Sequence, residues 1–139
     1  MSHAALPPIT VSSLDFDRLE ALLQQPRWQG QPMARALEAE LSRAEVRAPQ
    51  QISPDVVTMN STVTCVEELG GQHHKLTLCY PDDADSAQGR VSVLAPVGAG
   101  LLGLSVGQSI DWSIPGARPL RLRVAAIHWQ PEAAGQYHL

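Results

Sequence analysis

Cys65, His73, His74 and Cys79 place two thiols and two imidazoles in one short stretch of the chain. Those are the ligand types of a tetrahedral zinc site, although such sites usually draw their cysteines from C-x-x-C pairs. Here the four straddle Gly70-Gly71, which reads as a two-residue hairpin turn. In that register Leu69 faces Gln72 and Cys65 faces Leu76. Cys65 and Cys79 then point to opposite faces, so ordinary strand residues with an exposed histidine pair are expected. Asp82, Asp83 and Asp85 crowd the following loop. A calcium site needs six to eight oxygens, with a glycine and a distal glutamate in register, so a solvated or partner-facing acidic loop is the simpler expectation. Gly98-Ala99-Gly100-Leu101-Leu102-Gly103 fits G-x-G-x-x-G. A dinucleotide site would continue into a full helix and a parallel strand, whereas Gly107 closes this segment within a few residues, which predicts a tight turn and a short helix. No serine or cysteine stands beside a base, and there is no Gly-x-Ser-x-Gly elbow. The chain is therefore read as non-enzymatic, with no catalytic residue, metal or cofactor.

The elements that carry these residues divide into two parts. Ser12 and Ser13 are candidate N-caps, with Asp15 and Asp17 in the first helical turn. Phe16, Leu19, Leu22 and Leu23 repeat at helical spacing until Pro26 stops the run. Pro32 opens a second helix, in which Met33, Leu37, Leu41 and Ala44 line one face and Glu38, Glu40, Arg43 and Glu45 lie elsewhere. The short loop between them predicts an antiparallel hairpin. Its tip carries Arg27 and Trp28 and no carboxylate. Trp28 either anchors a partner or folds back over the helices. After the proline-bearing segment 49–55 the period becomes two. Val56, Val57, Val63 and Val66 are strand-like; Leu76, Leu78 and Tyr80 alternate with Lys75, Thr77 and Cys79. Further strands are expected over Arg90–Ala95, Ser109–Ile114 and Leu120–Trp129, with one or two helical turns at Val97–Leu102 and turns at Gly107 and Pro115-Gly116. Short strands with close turns predict an antiparallel sheet and the α+β class.

Aromatic residues make up only 4% of the chain, so its core must come from Val, Leu, Ile and Ala. Ten Lys and Arg stand against fourteen Asp and Glu, a net charge of −4, and no basic face is apparent. Without one, phosphate-backbone attraction is missing and direct nucleic-acid binding is not expected. No stretch has the roughly 20 apolar residues of a membrane span. The first ten residues lack the basic and apolar regions of a signal peptide, so a cytoplasmic protein with reduced Cys65 and Cys79 is expected.

Three stretches carry a resemblance. They are Val57-Thr58-Met59-Asn60-Ser61-Thr62-Val63, Tyr80-Pro81-Asp82-Asp83-Ala84-Asp85 and Arg90 through Gly103, followed by Val106-Gly107 and Ile114-Pro115-Gly116. In order and spacing they resemble the C-terminal domain of the Gre transcript-cleavage factors. From Asp15-Phe16-Asp17-Arg18-Leu19 to its last residues, the whole chain is similar to the branch of that superfamily that regulates nucleoside diphosphate kinase. The resemblance implies an N-terminal helical hairpin, coiled-coil-like, over 1–48, a linker over 49–55 and an FKBP-like antiparallel sheet domain with a short helix over 56–139. It implies docking at the rim of the RNA polymerase secondary channel. On the matched motif, Asp83, Asp85, Ser92, Ala95, Pro96 and Val97 would touch polymerase, with Ala95 standing where the Gre pattern often has serine. Gre factors hold a second Mg²⁺ with carboxylates at the tip of a long coiled coil. Here the helices are short and the tip has Arg27 and Trp28, so transcript cleavage is expected to be lost while rim docking and competition with Gre factors survive. A link to nucleoside diphosphate kinase, through direct contact or through expression, is also implied. A prolyl isomerase is the rival from the enzyme class, since the fold resembles FKBP. Such a site needs an aromatic pocket, and this chain has one Phe, two Tyr and three Trp spread from end to end.

Overall fold

The computed structural model describes residues 7–112 and 119–137, and the protein is α+β. Strand β1 (Thr10–Ser12) leads into helix α1 (Ser13–Leu23). Ser12 caps it: Asp15 N–H donates to Ser12 Oγ at 3.0 Å, satisfying one of the helix's free donors. Residues 24–31 form the connection, with a 3₁₀ turn at Pro26–Trp28. Helix α2 (Pro32–Arg43) starts on proline as expected. Leu19 and Leu22 of α1 and Leu37 and Leu41 of α2 are buried in one cluster with the sheet.

Glu40 is a correction, because it lies inside with 3% of its surface exposed. Arg43 explains how it can: Nε and Nη2 donate to the two Glu40 oxygens at 2.9 and 2.7 Å, and Nη1 donates to the Pro7 carbonyl. A charge so enclosed needs a fork of this kind.

Strand β2 (Glu45–Arg47) runs parallel to β1, with Thr10 opposite Glu45. This ribbon was not expected. The segment 49–55 forms a 3₁₀ turn at Pro49–Gln51 and buries Ile52. Gln130 Nε2 donates to the carbonyls of Ser53 and Val56, both at 2.8 Å.

The main sheet comprises β3 (Thr62–Glu67), β4 (Gln72–Cys79), β5 (Arg90–Ser92), β6 (Ser109–Trp112) and β7 (Leu120–Trp129), in the order β5-β4-β3-β7-β6. It is mixed and not antiparallel, since β5 runs parallel to β4, with Leu78 opposite Val91. The loop 80–89 reverses the chain twice to allow this. Val56 and Val57 do not open a strand: Val56 makes one isolated bridge to Ser105, and the chain turns through Thr58–Ser61, with Asn60 at φ 67°, before β3 begins.

The hairpin register also differs from the expected one. Cys65 faces His74 and Glu67 faces Gln72, leaving a four-residue loop, 68–71. The Glu67 carboxylate accounts for the wider turn, accepting from Leu69 and Gly70 N–H at 3.1 and 2.6 Å. The shift is two residues, so the faces keep their parity and Cys65 still points away from Cys79. The expected strand Arg90–Ala95 is cut to three residues because Ser92 Oγ accepts from Leu94 N–H at 3.0 Å and bends the chain. Ala95 is instead the N-cap of α3 (Pro96–Leu101).

Helix α3 lies against the sheet at van der Waals limits. A Cβ at Gly98 would sit 2.2 Å from the Ser92 carbonyl oxygen, so only glycine fits. The Gly-rich motif is thus a packing device. Gly103, at φ 82°, accepts from Thr10 N–H at 3.1 Å and joins β1 to this region. The expected Ile114 end of β6 and the Pro115-Gly116 turn lie outside the described residues.

Candidate functional site

All six residues expected at a docking surface gather along the β5 edge of the sheet. Asp83 lies in a 3₁₀ turn (Pro81–Asp83) and is exposed. Asp85 is exposed but occupied: its Oδ1 accepts from Ala87 N–H at 3.1 Å, capping the turn Ser86–Gln88, and its backbone bridges Arg90. Ser92 ends β5, and its hydroxyl holds the bend to Leu94. Ala95, Pro96 and Val97 open α3, each half-buried; Val97 also packs against the core. The surface is a short edge strand flanked by an acidic loop on one side and a helix start on the other.

The helical tip meets this loop. Arg27 Nη2 donates to Asp82 Oδ1 at 3.1 Å, and the Arg27 guanidinium lies 4.7 Å from the centre of the Trp28 ring. Trp28 is half-buried and packs against the helices, so it folds back in part, with its indole N–H enclosed and lacking an acceptor. The sequence held both halves of the Arg27–Asp82 contact as a lone tip cation and an acidic loop. Nothing local joined them.

A second constellation lies where α1 meets the sheet. Asp15, 2% exposed, accepts from Met59 N–H at 3.2 Å through Oδ2. Thr58 donates from Oγ1 to Glu132 Oε1 at 2.7 Å, and Ser61 Oγ accepts from Thr58 N–H. Burial, reinforced by the Glu132 carboxylate, raises the Asp15 carboxyl from 3.8 to about 7; Met59 N–H, Arg18 and Ser12 oppose the shift. Tyr80, at the end of β4, is pushed up by burial and then by the charge of Asp15. Asp15 was expected only as a first-turn acid, since its partners stand at positions 59 and 132.

Residues 51–128 match the family described as transcription elongation factor GreA/GreB, C-terminal, and residues 7–46 match the Rnk N-terminus. The regulator of nucleoside diphosphate kinase of Escherichia coli (strain K12) is 46% identical over 133 residues, covering 96% of this chain and 98% of that protein. This chain belongs to the family of regulators of nucleoside diphosphate kinase. Transcription elongation factor GreA of Azorhizobium caulinodans is 33% identical over 94 residues, 67% of this chain and 59% of that factor. Among solved structures, the transcription elongation factor GreA/GreB from Nitrosomonas europaea superposes with a TM-score of 0.69 at 47% identity, covering 88% of this chain and 99% of that one.

In this member of the regulator family, the Gre-type match runs through β3 to β7 and takes in the whole β5 edge. The N-terminal match ends inside β2, so it contains both helices and the tip. Among the described residues no cluster of three or more His, Cys, Asp or Glu is arranged to hold a metal, and no helix is long and apolar enough to cross a membrane. Burial raises both thiols, Cys65 and Cys79.

Proposed function

We propose that this protein is a non-catalytic transcription regulator that binds RNA polymerase near its secondary channel, competes there with Gre-type factors and so influences nucleoside diphosphate kinase levels in the cytoplasm. In this reading residues 1–48 are a shortened antiparallel, coiled-coil-like hairpin, 49–55 a linker and 56–139 a Gre-type, FKBP-like domain. The docking surface is the β5 edge, with Asp83, Asp85, Ser92, Ala95, Pro96 and Val97 in contact.

The observation that carries the reading is the tip. Helices of 11 and 12 residues are only about 17 Å long, and their tip rests against the acidic loop of the sheet domain. Their tip presents Arg27, already paired to Asp82, where holding a second metal for cleavage would need free carboxylates. A factor built so occupies the channel rim without stimulating cleavage, and its effect is exclusion.

Binding of the full chain to polymerase core enzyme tests this, with a Gre-type factor as competitor and Pro96→Asp as control. Displacement by the competitor, together with loss of binding in the control, is expected. No binding at micromolar concentration would sink the reading and leave direct contact with the kinase as the explanation of the family name.

A further inference from the structure

A groove of about 470 Å³ is lined by α1, the connection after it and α2. Each bank sets a carboxylate between two apolar residues, those of α2 being buried; α1 adds Gln24 and α2 adds Arg35 and Ser42. On α1, Phe16, Glu20 and Leu23 stand at i, i+4 and i+7; on α2, Ala34, Glu38 and Leu41 stand at the same spacing. Each helix therefore offers the groove an apolar residue, then a carboxylate one turn on, then a second apolar residue. Trp28 lines the groove as well, and its enclosed indole N–H has no acceptor.

Glu20 and Glu38 are both exposed, and neither takes part in an ion pair among the described residues. The lining sets these two acids against one guanidinium, that of Arg35. We propose that this groove is a docking site for an amphipathic helix of a partner protein, one carrying a Lys or Arg flanked a turn away on each side by apolar residues.

Three physical arguments select that occupant. A helix repeats every ~5.4 Å, so a stripe at i, i+4 and i+7 keeps step with the two stripes already lining the groove. A cation at its centre meets a lining with two carboxylates that form no ion pair among the described residues, while its apolar neighbours cover the half-buried Phe16 and Leu23. A second copy of this chain fits worse, because two such grooves face to face would gather four glutamates against two arginines. The inference stands apart from the polymerase reading, which concerns the β5 edge.

The test uses the full chain and two helical peptides with capped ends. They are identical except at the centre of a Leu-x-x-x-Lys-x-x-Leu stripe, where the second peptide has Glu in place of Lys. Calorimetry should show the Lys peptide binding roughly tenfold more tightly, the preference two partly exposed ion pairs supply. The double variant Glu20→Lys/Glu38→Lys should reverse the preference, and as both positions are exposed the fold should survive the change. Equal affinity for the two peptides, binding of neither, or an unchanged preference in the double variant would overturn the proposal. So would concentration-dependent dimerisation, seen by sedimentation, that the double variant abolishes.

Discussion

Helix α3 rests on the sheet so closely that the Ser92 carbonyl leaves no space for a side chain at position 98. Helix α1 meets the same domain through Asp15, which accepts from Met59 N–H beside the Thr58–Glu132 bond, and Arg43 of its partner helix, while holding Glu40, donates to the Pro7 carbonyl. One contact is set by shape and is indifferent to pH. The other adds to its apolar packing a set of buried polar groups, whose worth depends on who holds the protons. A chain of this length thus keeps a rigid sheet edge for its proposed docking surface, while the attachment of its helices responds to conditions.

The contrast can be broken from the rigid side first. Gly98→Val drives a side chain into the Ser92 carbonyl, and should cost about 3 kcal/mol or more, read as a fall in the denaturation midpoint. If the variant unfolds at the midpoint of the parent, the contact at α3 is softer than its geometry indicates.

Next comes Asp15→Asn. With the carboxyl at about 7 in the folded chain and 3.8 when unfolded, the folded state holds the extra proton between those values. The contribution of Asp15 to stability is therefore greatest below about pH 4, falls as pH rises to about 7 and is level above that, a total on the order of 4 kcal/mol. Asparagine keeps an acceptor for Met59 N–H and removes the charge, so its melting temperature should be flatter across this window and exceed that of the parent at pH 8. A parent whose melting temperature holds steady from pH 4 to 7 would show that Asp15 does not titrate there.

The smallest effect is expected at Arg27→Ala. Both partners of the Arg27–Asp82 pair are largely open to solvent, at 48% and 76% exposure, and such pairs contribute less than about 1 kcal/mol. Thermal stability should barely move. A large loss would mean that the tip, like the joint at Asp15, holds the helices in place.

What the sequence disclosed follows the same divide. Strand β7 spans Leu120–Trp129, the bounds expected for the segment that the alternation of Leu120, Leu122 and Val124 opens, and α1 lies between its Ser12 cap and the proline that stops it. Local periodicity and capping suffice for those. The β1–β2 ribbon escaped, because three residues per strand carry no period and their pairing spans both helices. The hairpin register slipped by two because the turn is governed by the Glu67 side chain and not by the glycines alone. Asp15, Glu40 and Arg27 were visible as charges, but their surroundings were not, since each depends on residues brought close only by folding. The residues expected on the docking surface lie along one edge, since they belong to two consecutive segments that the Asp85–Arg90 bridge folds together.

The ribbon has one more consequence. Thr10 and Glu45 are paired neighbours, so the chain leaves for the helices and returns from them across a gap of ~5 Å. Everything between those residues is, in effect, a cartridge clipped into a fixed socket. Whole helical turns could be added at its far end, beyond the leucines that pack on the sheet, while the socket stayed unchanged, so reach can be extended without redesigning the fold.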